Sequence, residues 1–429
     1  DRPFDVDVAV QVPHGALRLN VMGERGAARE PATEIDIELM AKHARQAIEA
    51  GALGFSTSRT LNHRTSRGEP TPTLTAEACE LVGIACEIGA SGGGVLQVVS
   101  DFTDVDAEFA LCRRMAEESG RPLSFSLVQT PGDGWRRLLE LVDTANADGV
   151  ALSAQVAPRA VGLLLGLQCT LNPFLTNPVY REIDALPLAE RVAVMREPEF
   201  KERVLAAARS RQGEGRLLHA LHRMYELGDP PHYEPDPESS ISRRAEREGR
   251  DPLDLAYDLL LADGGRAFLY LPFLNYLDGN LDAAGEMLAH PHTVVGLGDG
   301  GAHVGTICDA SFPTTLLAYW GRDRDHGRLD LPFLVQRQTR DTARAVGLLD
   351  RGVIAPGYRA DVNVIDYEAL AARRPEMRFD LPAGGKRLVQ AAAGYVATLV
   401  AGQVTYEDGE ESGPLPGRLV RGPQPAPIT

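Results

Sequence analysis

Apolar residues in roughly the first 160 positions recur with two alternating periods, short continuous runs and helical spacing. Val6–Val12 is a valine-rich run closed by Pro13 and Gly15, which predicts a strand. Helical spacing follows. Thr33 stands where an N-cap belongs, Glu34 and Asp36 occupy the first turn, and Ile37, Met40, Ala41, Ala44 and Ile48 form one stripe ended by Gly51. Ala52–Ser56 predicts a second strand, and a helix starting at Thr75 runs into Gly89. The alternation continues with strands at Val95–Val99, Leu123–Val128 and Val150–Val156, separated by helices at Val105–Glu118 and Trp135–Asn146. Apolar strands separated by helices are the pattern of a parallel α/β sheet. Polar residues gather just past the strand ends: His14, Ser56-Thr57-Ser58-Arg59, Ser100-Asp101, Gln129 and Gln155. With no GxGxxG turn and no phosphate loop, this favours a (β/α)₈ barrel, whose active site forms at that face, over a doubly wound sheet.

The pattern changes over residues 185–265, where Arg, Glu and Ala dominate and Pro230-Pro231 and Pro235 interrupt. Asp251-Pro252 reads as an N-cap with proline at the first helical position. This stretch predicts a helical insertion over the barrel mouth or its side. Leu269–Leu274 is a further strand or the wall of that insertion, and Thr293–Leu297 is a strand running into Gly298-Asp299-Gly300-Gly301-Ala302-His303. Later come short β segments at Gly352-Val353-Ile354, Asp361–Ile365, Gly394–Val400 and Gln403–Tyr406. The expected organisation is a barrel over 1–345, a small β-sandwich over 346–412, and a proline-rich tail over 413–429 with little to bury.

Composition narrows the classes. The 429 residues carry 44 Lys and Arg against 60 Asp and Glu, a formal charge of −16, so nucleic acid and anionic membrane are excluded as expected partners. No run reaches the ~18 apolar residues of a bilayer span; the nearest, Val161–Phe174, is broken by Gln168, Asn172 and Pro173. Five cysteines without a CxxC pair point to free thiols and a reducing, cytoplasmic location.

Candidate chemistry concentrates in three places. Asp299 follows a buried strand within four glycines, where backbone approaches a ligand closely; it suits a cation ligand or a proton shuttle, or else a turn that satisfies backbone amides. His303 lies four residues on. Arg59, His63 and Arg64 crowd one loop after a strand, as a carboxylate clamp or as partners of structural acids. His14 is a substrate contact or a hydrogen-bonded structural histidine. His219 with His222, and His290 with His292, have spacings seen in metal sites but lie on an arginine-rich stretch and before a strand. There is no GxSxG elbow, and nothing flanking Cys308 favours a thiolate.

The stretches Val12–Arg18, Gly51–Thr57, Gly296–His303 and Gly352–Asp361 resemble the N-acyl-D-amino-acid deacylase (D-aminoacylase) branch of the amidohydrolase superfamily. The resemblance runs over nearly the whole chain. It implies a metal-dependent TIM-like barrel with a small β-sandwich, cleaving the amide C–N bond of an N-acyl amino acid or related small molecule. Asp299 is then the catalytic residue and a metal ligand, and Arg59, His63, Arg64, His14 and His303 are the substrate-binding set. Family members begin with sandwich strands, a first barrel strand bearing His-x-His and a second bearing a cysteine ligand. Counting back from Asp299 at the eighth strand makes Val6–Val12 the third. The expectation is an upstream segment or another chain that completes the barrel, with a homo-oligomer possible.

This chain departs from the family where its ligands belong. Val98–Asp101 and Leu127–Gln129 carry no histidine, and the only lysines, Lys42, Lys201 and Lys386, lie at no predicted strand end, which excludes a bridging carboxylated lysine. The expectation is at most one Zn2+, held by Asp299 and upstream residues. The rivals are a decarboxylase or isomerase on the same fold, and a catalytically inactive binding subunit.

Overall fold

The computed structural model describes residues 3–65, 67–210, 217–298, 300 and 304–428. Asp299 and His303 lie outside the described residues. Six strands form one all-parallel sheet: β1 Gln11–Pro13, β2 Gly54–Arg59, β3 Val95–Ser100, β4 Leu123–Leu127, β5 Leu152–Val156 and, after an interval, β9 Thr293–Val295. Their spatial order is their chain order, β1-β2-β3-β4-β5-β9. A doubly wound sheet reverses direction at a switch point, whereas a sheet wound one way keeps chain order, as a barrel wall does. Among the described residues β1 and β9 are the outer strands and do not pair with each other.

Helices connect these strands: α1 His14–Met22, α2 Glu24–Ala27, α3 Glu34–Glu49, α4 Ala78–Ala90, α5 Val105–Ser119 and α6 Gly134–Ala147. Thr33 closes a full capping box on α3: its hydroxyl accepts from the Asp36 amide while the Asp36 carboxylate accepts from the Thr33 amide. The predicted stripe is the buried one, with Met40, Ala41, Ala44 and Ile48 packed inside. Gly54 opens β2 because a Cβ there would run into the Val95 carbonyl oxygen. One continuous core joins sheet and helices, from Phe55 and Leu96 to Phe125, Trp135 and Val142.

Two boundaries differ from expectation for local reasons. The run from Val6 shortens to β1; before it, Phe4 and Val8 bridge to Pro416, Gly417 and Leu419, so its first half serves the chain's end while Val12 pairs with Phe55 of β2. Helix α4 begins at Ala78 rather than Thr75 because Thr73 and Thr75 donate their hydroxyls to the carbonyls of Ser58 and Arg29.

Residues 161–274 build a second unit. Strands β6 Val161–Leu165, β7 Tyr225–Glu226 and β8 Leu269–Leu274 form an antiparallel sheet in the order β6-β8-β7, so Leu269–Leu274 is the insertion's wall. Helices α7 Leu188–Met195, α8 Pro198–Arg209, α9 Ile241–Glu248 and α10 Pro252–Gly265 cover it. They share a separate core that includes Phe174, Tyr180, Met195, Val204 and Tyr257. The Asp251 side chain caps α10 as its sequence predicts.

Beyond residue 361 come a four-stranded sheet, β10 Val362–Ile365, β15 Tyr395–Val400, β16 Gln403–Glu407 and β17 Glu410–Glu411, and two antiparallel pairs. The pairs are β11 Ala371–Ala372 with β14 Ala392–Ala393, and β12 Glu376–Leu381 with β13 Gly385–Val389. The tail leaves most of its side chains exposed, Leu415, Leu419 and Ile428 among them, yet it is held to the rest of the chain. Val420 is buried, and main-chain bonds tie the tail to Phe4, Val8 and Gly347. Asp7 anchors the same corner, 2.9 Å from both Arg351 and Arg359. Burial alone would raise its carboxyl; the Arg351 bond, the Arg418 amide and the two guanidinium charges outweigh that and hold it below its ordinary value. Among the described residues no helix is long and apolar enough to cross a membrane.

Candidate functional site

The C-terminal ends of the parallel strands surround a cavity of about 480 Å³, which is in the size range of small-molecule sites. Gln97, Val99 and Ser100 from β3, Ser126 and Leu127 from β4, and Gln155 from β5 line it, with Thr60, Asn62 and His63 from the loop after β2. Leu297 and Gly298, which directly precede Asp299, complete the wall. The interior side chains form a ladder across three strands: Gln97 Nε2 donates to Gln155 Oε1 at 3.2 Å, and Gln155 Nε2 donates to Ser124 Oγ at 2.9 Å. Ser126 lines the cavity, and its hydroxyl oxygen is buried with no hydrogen-bond partner among the described residues, which is costly unless a ligand or a neighbouring group supplies one.

Left-handed backbone follows two of the parallel strands, β3 and β9, and the antiparallel strand β8. Leu297 has φ 66°, Phe102 φ 46° and Asn275 φ 60°, all left-handed positions that non-glycine side chains rarely adopt. Each costs on the order of 1–3 kcal/mol and persists only where surrounding contacts enforce it. For Asn275 those contacts are visible: its Oδ1 accepts from the Gln129 amide at 2.6 Å.

Hydrogen bonds hold the loops of the rim. Asp101 accepts from Thr60 Oγ1 at 2.5 Å and from the Leu61 amide at 2.8 Å, so both carboxylate oxygens are engaged. Gln129 is buried; its Nε2 donates to Asp278 at 2.6 Å and its Oε1 accepts from the Leu277 amide at 3.1 Å. These are the places after β3 and β4 where the sequence lacks the expected histidines, and both side chains serve the loops.

The structure separates the predicted binding set. His63 lines the cavity, with Nδ1 2.7 Å from Ser58 Oγ. Arg59 does not line it; Nη1 donates to the Ala76 carbonyl at 2.5 Å and Nε is buried without a partner. Arg64 is exposed beside Gly68, away from the cavity wall. His14 is corrected from a substrate contact to a core residue. It is 1% exposed, with Nε2 2.7 Å from Glu80 and Nδ1 2.8 Å from Thr57 Oγ1, so both ring nitrogens are committed. Burial lowers its pKa, Glu80 opposing and Arg18 and Arg59 assisting, so the neutral ring is favoured. Sequence reasoning missed Thr60, Ser126 and Leu297 as cavity residues and noted Asp101 only as one of the polar residues past the strand ends. The three buried thiols are disfavoured as nucleophiles: burial pushes Cys112 and Cys169 up to about 12 and Cys308 up to about 11.

The sequence profile of the Amidohydrolase family matches residues 2–406. This chain belongs to the Amidohydrolase family. Its fold is similar to that of a D-aminoacylase variant solved with copper(II) chloride (TM-score 0.58, 21% identity, covering 98% of this chain and 72% of that one). A D-aminoacylase structure concerned with the role of its binuclear metal centre gives a TM-score of 0.56 at 21% identity, with the same coverage. Uncharacterized proteins of Mycobacterium bovis and Mycobacterium tuberculosis are 30% identical over 184 residues, which is 41% of this chain. The match spans 29% of the length of these curated relatives.

Members of this amidohydrolase branch are expected to hold a metal, and the described residues do not fit one. Among them no three His, Cys, Asp or Glu side chains are placed to hold a metal ion. Asp101 is spent on Thr60 and Leu61, and Gln129 on its loop. The pair His290 and His292 shares only Asp143, at 3.3 and 3.8 Å.

Proposed function

We propose that this chain binds a small amide-bearing molecule in the cavity at the strand ends and cleaves its C–N bond, the substrate being an N-acyl amino acid or a close relative. The observation that carries this reading is the neutral polar floor. Gln97, Gln155 and the Ser126 hydroxyl, which has no partner among the described residues, can donate to and accept from an amide, while the nearby Asp101 carboxylate is taken up by Thr60 and Leu61. Family membership supports the hydrolytic class. The cleavage adds water across the bond: oxygen joins the carbonyl carbon and a proton passes to the leaving nitrogen. In this reading Asp299, adjoining the cavity-lining Gly298, takes and returns that proton, and Ser126 donates to the substrate carbonyl. His63 and His303 hold the polar end of the substrate. The expected Zn2+ would rest on Asp299 and donors other than the described residues. The six-stranded wall is proposed as part of a TIM-like barrel, with 346–412 as its small β-sandwich.

A panel of N-acetyl D- and L-amino acids, with amine release followed by fluorescamine, tests the activity with and without added Zn2+. Release that is abolished in Asp299→Asn supports the reading. The engagement of Asp101 and Gln129 in loop contacts favours one rival, a binding subunit. Saturable binding of the same compounds without amine release, with metal supplied, would establish that rival instead.

A further inference from the structure

Away from the strand ends, the loop after β6, helix α7 and the hairpin strand β13 enclose a second cavity of about 550 Å³ that shares no lining residue with the first. Two cations line it, Arg191 on α7 and Lys386 on β13. Most cations of this acidic chain find carboxylates; these two bond only to neutral oxygens. Lys386 Nζ donates to the carbonyls of Gln168 at 2.7 Å and Cys169 at 3.1 Å, leaving its third N–H unused. Arg191 donates to the carbonyls of Leu167 and Leu186 and to Tyr180 Oη, while its buried Nε has no partner. The Tyr180 hydroxyl accepts from Arg191 at 3.2 Å and from Asn172 Nδ2 at 3.3 Å. Its own O–H therefore has no acceptor among the described residues. Asp184 lies on the exposed rim of this cavity and pairs with neither cation.

Donors and positive charge thus converge where, among the described residues, neither cation meets a carboxylate, which is the composition of an anion site. Leu175, Leu188 and the 58% exposed Phe379 add an apolar part to a wall that also carries Gln168, Thr170 and Asn172. We propose that this cavity binds a small organic carboxylate bearing an apolar chain, its head between Arg191, Lys386 and Tyr180. Burial, with the neighbouring Arg191 charge adding to it and Cys169 opposing, lowers the Lys386 ammonium from its ordinary value. A bound carboxylate reverses that effect by pairing the charge.

Calorimetric titration with hexanoate tests the site in the intact chain. Hexanoate should bind at least about ten-fold more tightly than neutral hexanamide, and Lys386→Gln should weaken it about ten-fold while Lys386→Arg retains most of the affinity. Arg191→Gln should weaken it further, but Arg191 also ties three backbone and hydroxyl oxygens, so Lys386→Gln, on the hairpin, is the deciding variant. Equal hexanoate affinity in parent and natively folded Lys386→Gln would overturn the proposal. So would equal binding of hexanamide, or inorganic phosphate binding as tightly as hexanoate, since the apolar wall would then contribute nothing. Loss of hexanoate binding in Ser126→Leu, with Lys386→Gln unaffected, would place the ligand in the first cavity and refute the second.

Discussion

Glu80→Gln probes a fully buried charge cluster carried by helices α1 and α4. Glu80 and Arg18 are each 1% exposed, and one guanidinium nitrogen, Nη1, reaches both carboxylate oxygens at 2.9 and 2.6 Å. His14 donates to the same carboxylate, and Arg18 Nη2 donates to the Glu30 carbonyl at 2.6 Å. The replacement keeps the shape but offers one acceptor where there were two, and turns an amide N–H₂ toward Arg18 or His14. One charge-assisted bond is lost and a buried guanidinium is left without its counter-charge. Breaking one side of a buried pair costs about 3–5 kcal/mol, a large share of the ~5–15 kcal/mol that holds a typical domain. Guanidinium unfolding followed by fluorescence of Trp135 and Trp320, both in the sheet's core, measures it. The joint change Arg18→Met with Glu80→Met removes both charges and should recover most of the loss. A Glu80→Gln protein within ~1 kcal/mol of the parent, or a double variant less stable than the single one, would refute the reasoning.

Three further outcomes follow from the site. His14 is held neutral in the fold, so below the ordinary histidine value of ~6.5 the unfolded chain binds a proton that the folded chain does not. Stability should therefore fall as pH drops from about 6.5 toward the lower folded value, and His14→Gln should flatten that slope in pH-resolved denaturation. Asp101→Asn releases the Thr60–Leu61 loop that carries His63 and Asn62 to the cavity; kcat/KM should drop about ten-fold with less than ~1.5 kcal/mol of stability lost, as steady-state kinetics and urea melts will show. Arg59→Ala should lower the melting temperature through the lost Ala76 contact and leave kcat/KM within about three-fold, whereas a collapse of kcat/KM at unchanged stability would return Arg59 to a substrate-clamp role.

The alternation of strands and helices was legible because it rests on local spacing. Buried strands read as apolar runs, and helix stripes and caps such as Thr33 and Asp251 act within a few residues. The stretch of polar residues past the strand ends was legible for the same reason and led to the cavity face. Its membership was not. Arg59, Arg64 and His63 are near neighbours in sequence, yet only His63 lines the cavity, because the direction of each side chain depends on what β3 and the Ala76 loop offer it. His14 was open between site and core until Glu80, 66 residues away, supplied its partner.

Local spacing by itself determined the parallel sheet, the helix boundaries to within a few residues and the helical character of much of 185–265. Only the tertiary structure decided that the first half of the Val6 run turns to the chain's own tail, that Leu269–Leu274 belongs to a second core, and that Gln129 and Asp101 are bound to loops. The physical reason is the range of each interaction. Propensity, capping and periodicity are set by residues one or two turns away, whereas buried charges, hydroxyls and strand edges take whichever partner the packed chain brings within hydrogen-bond reach.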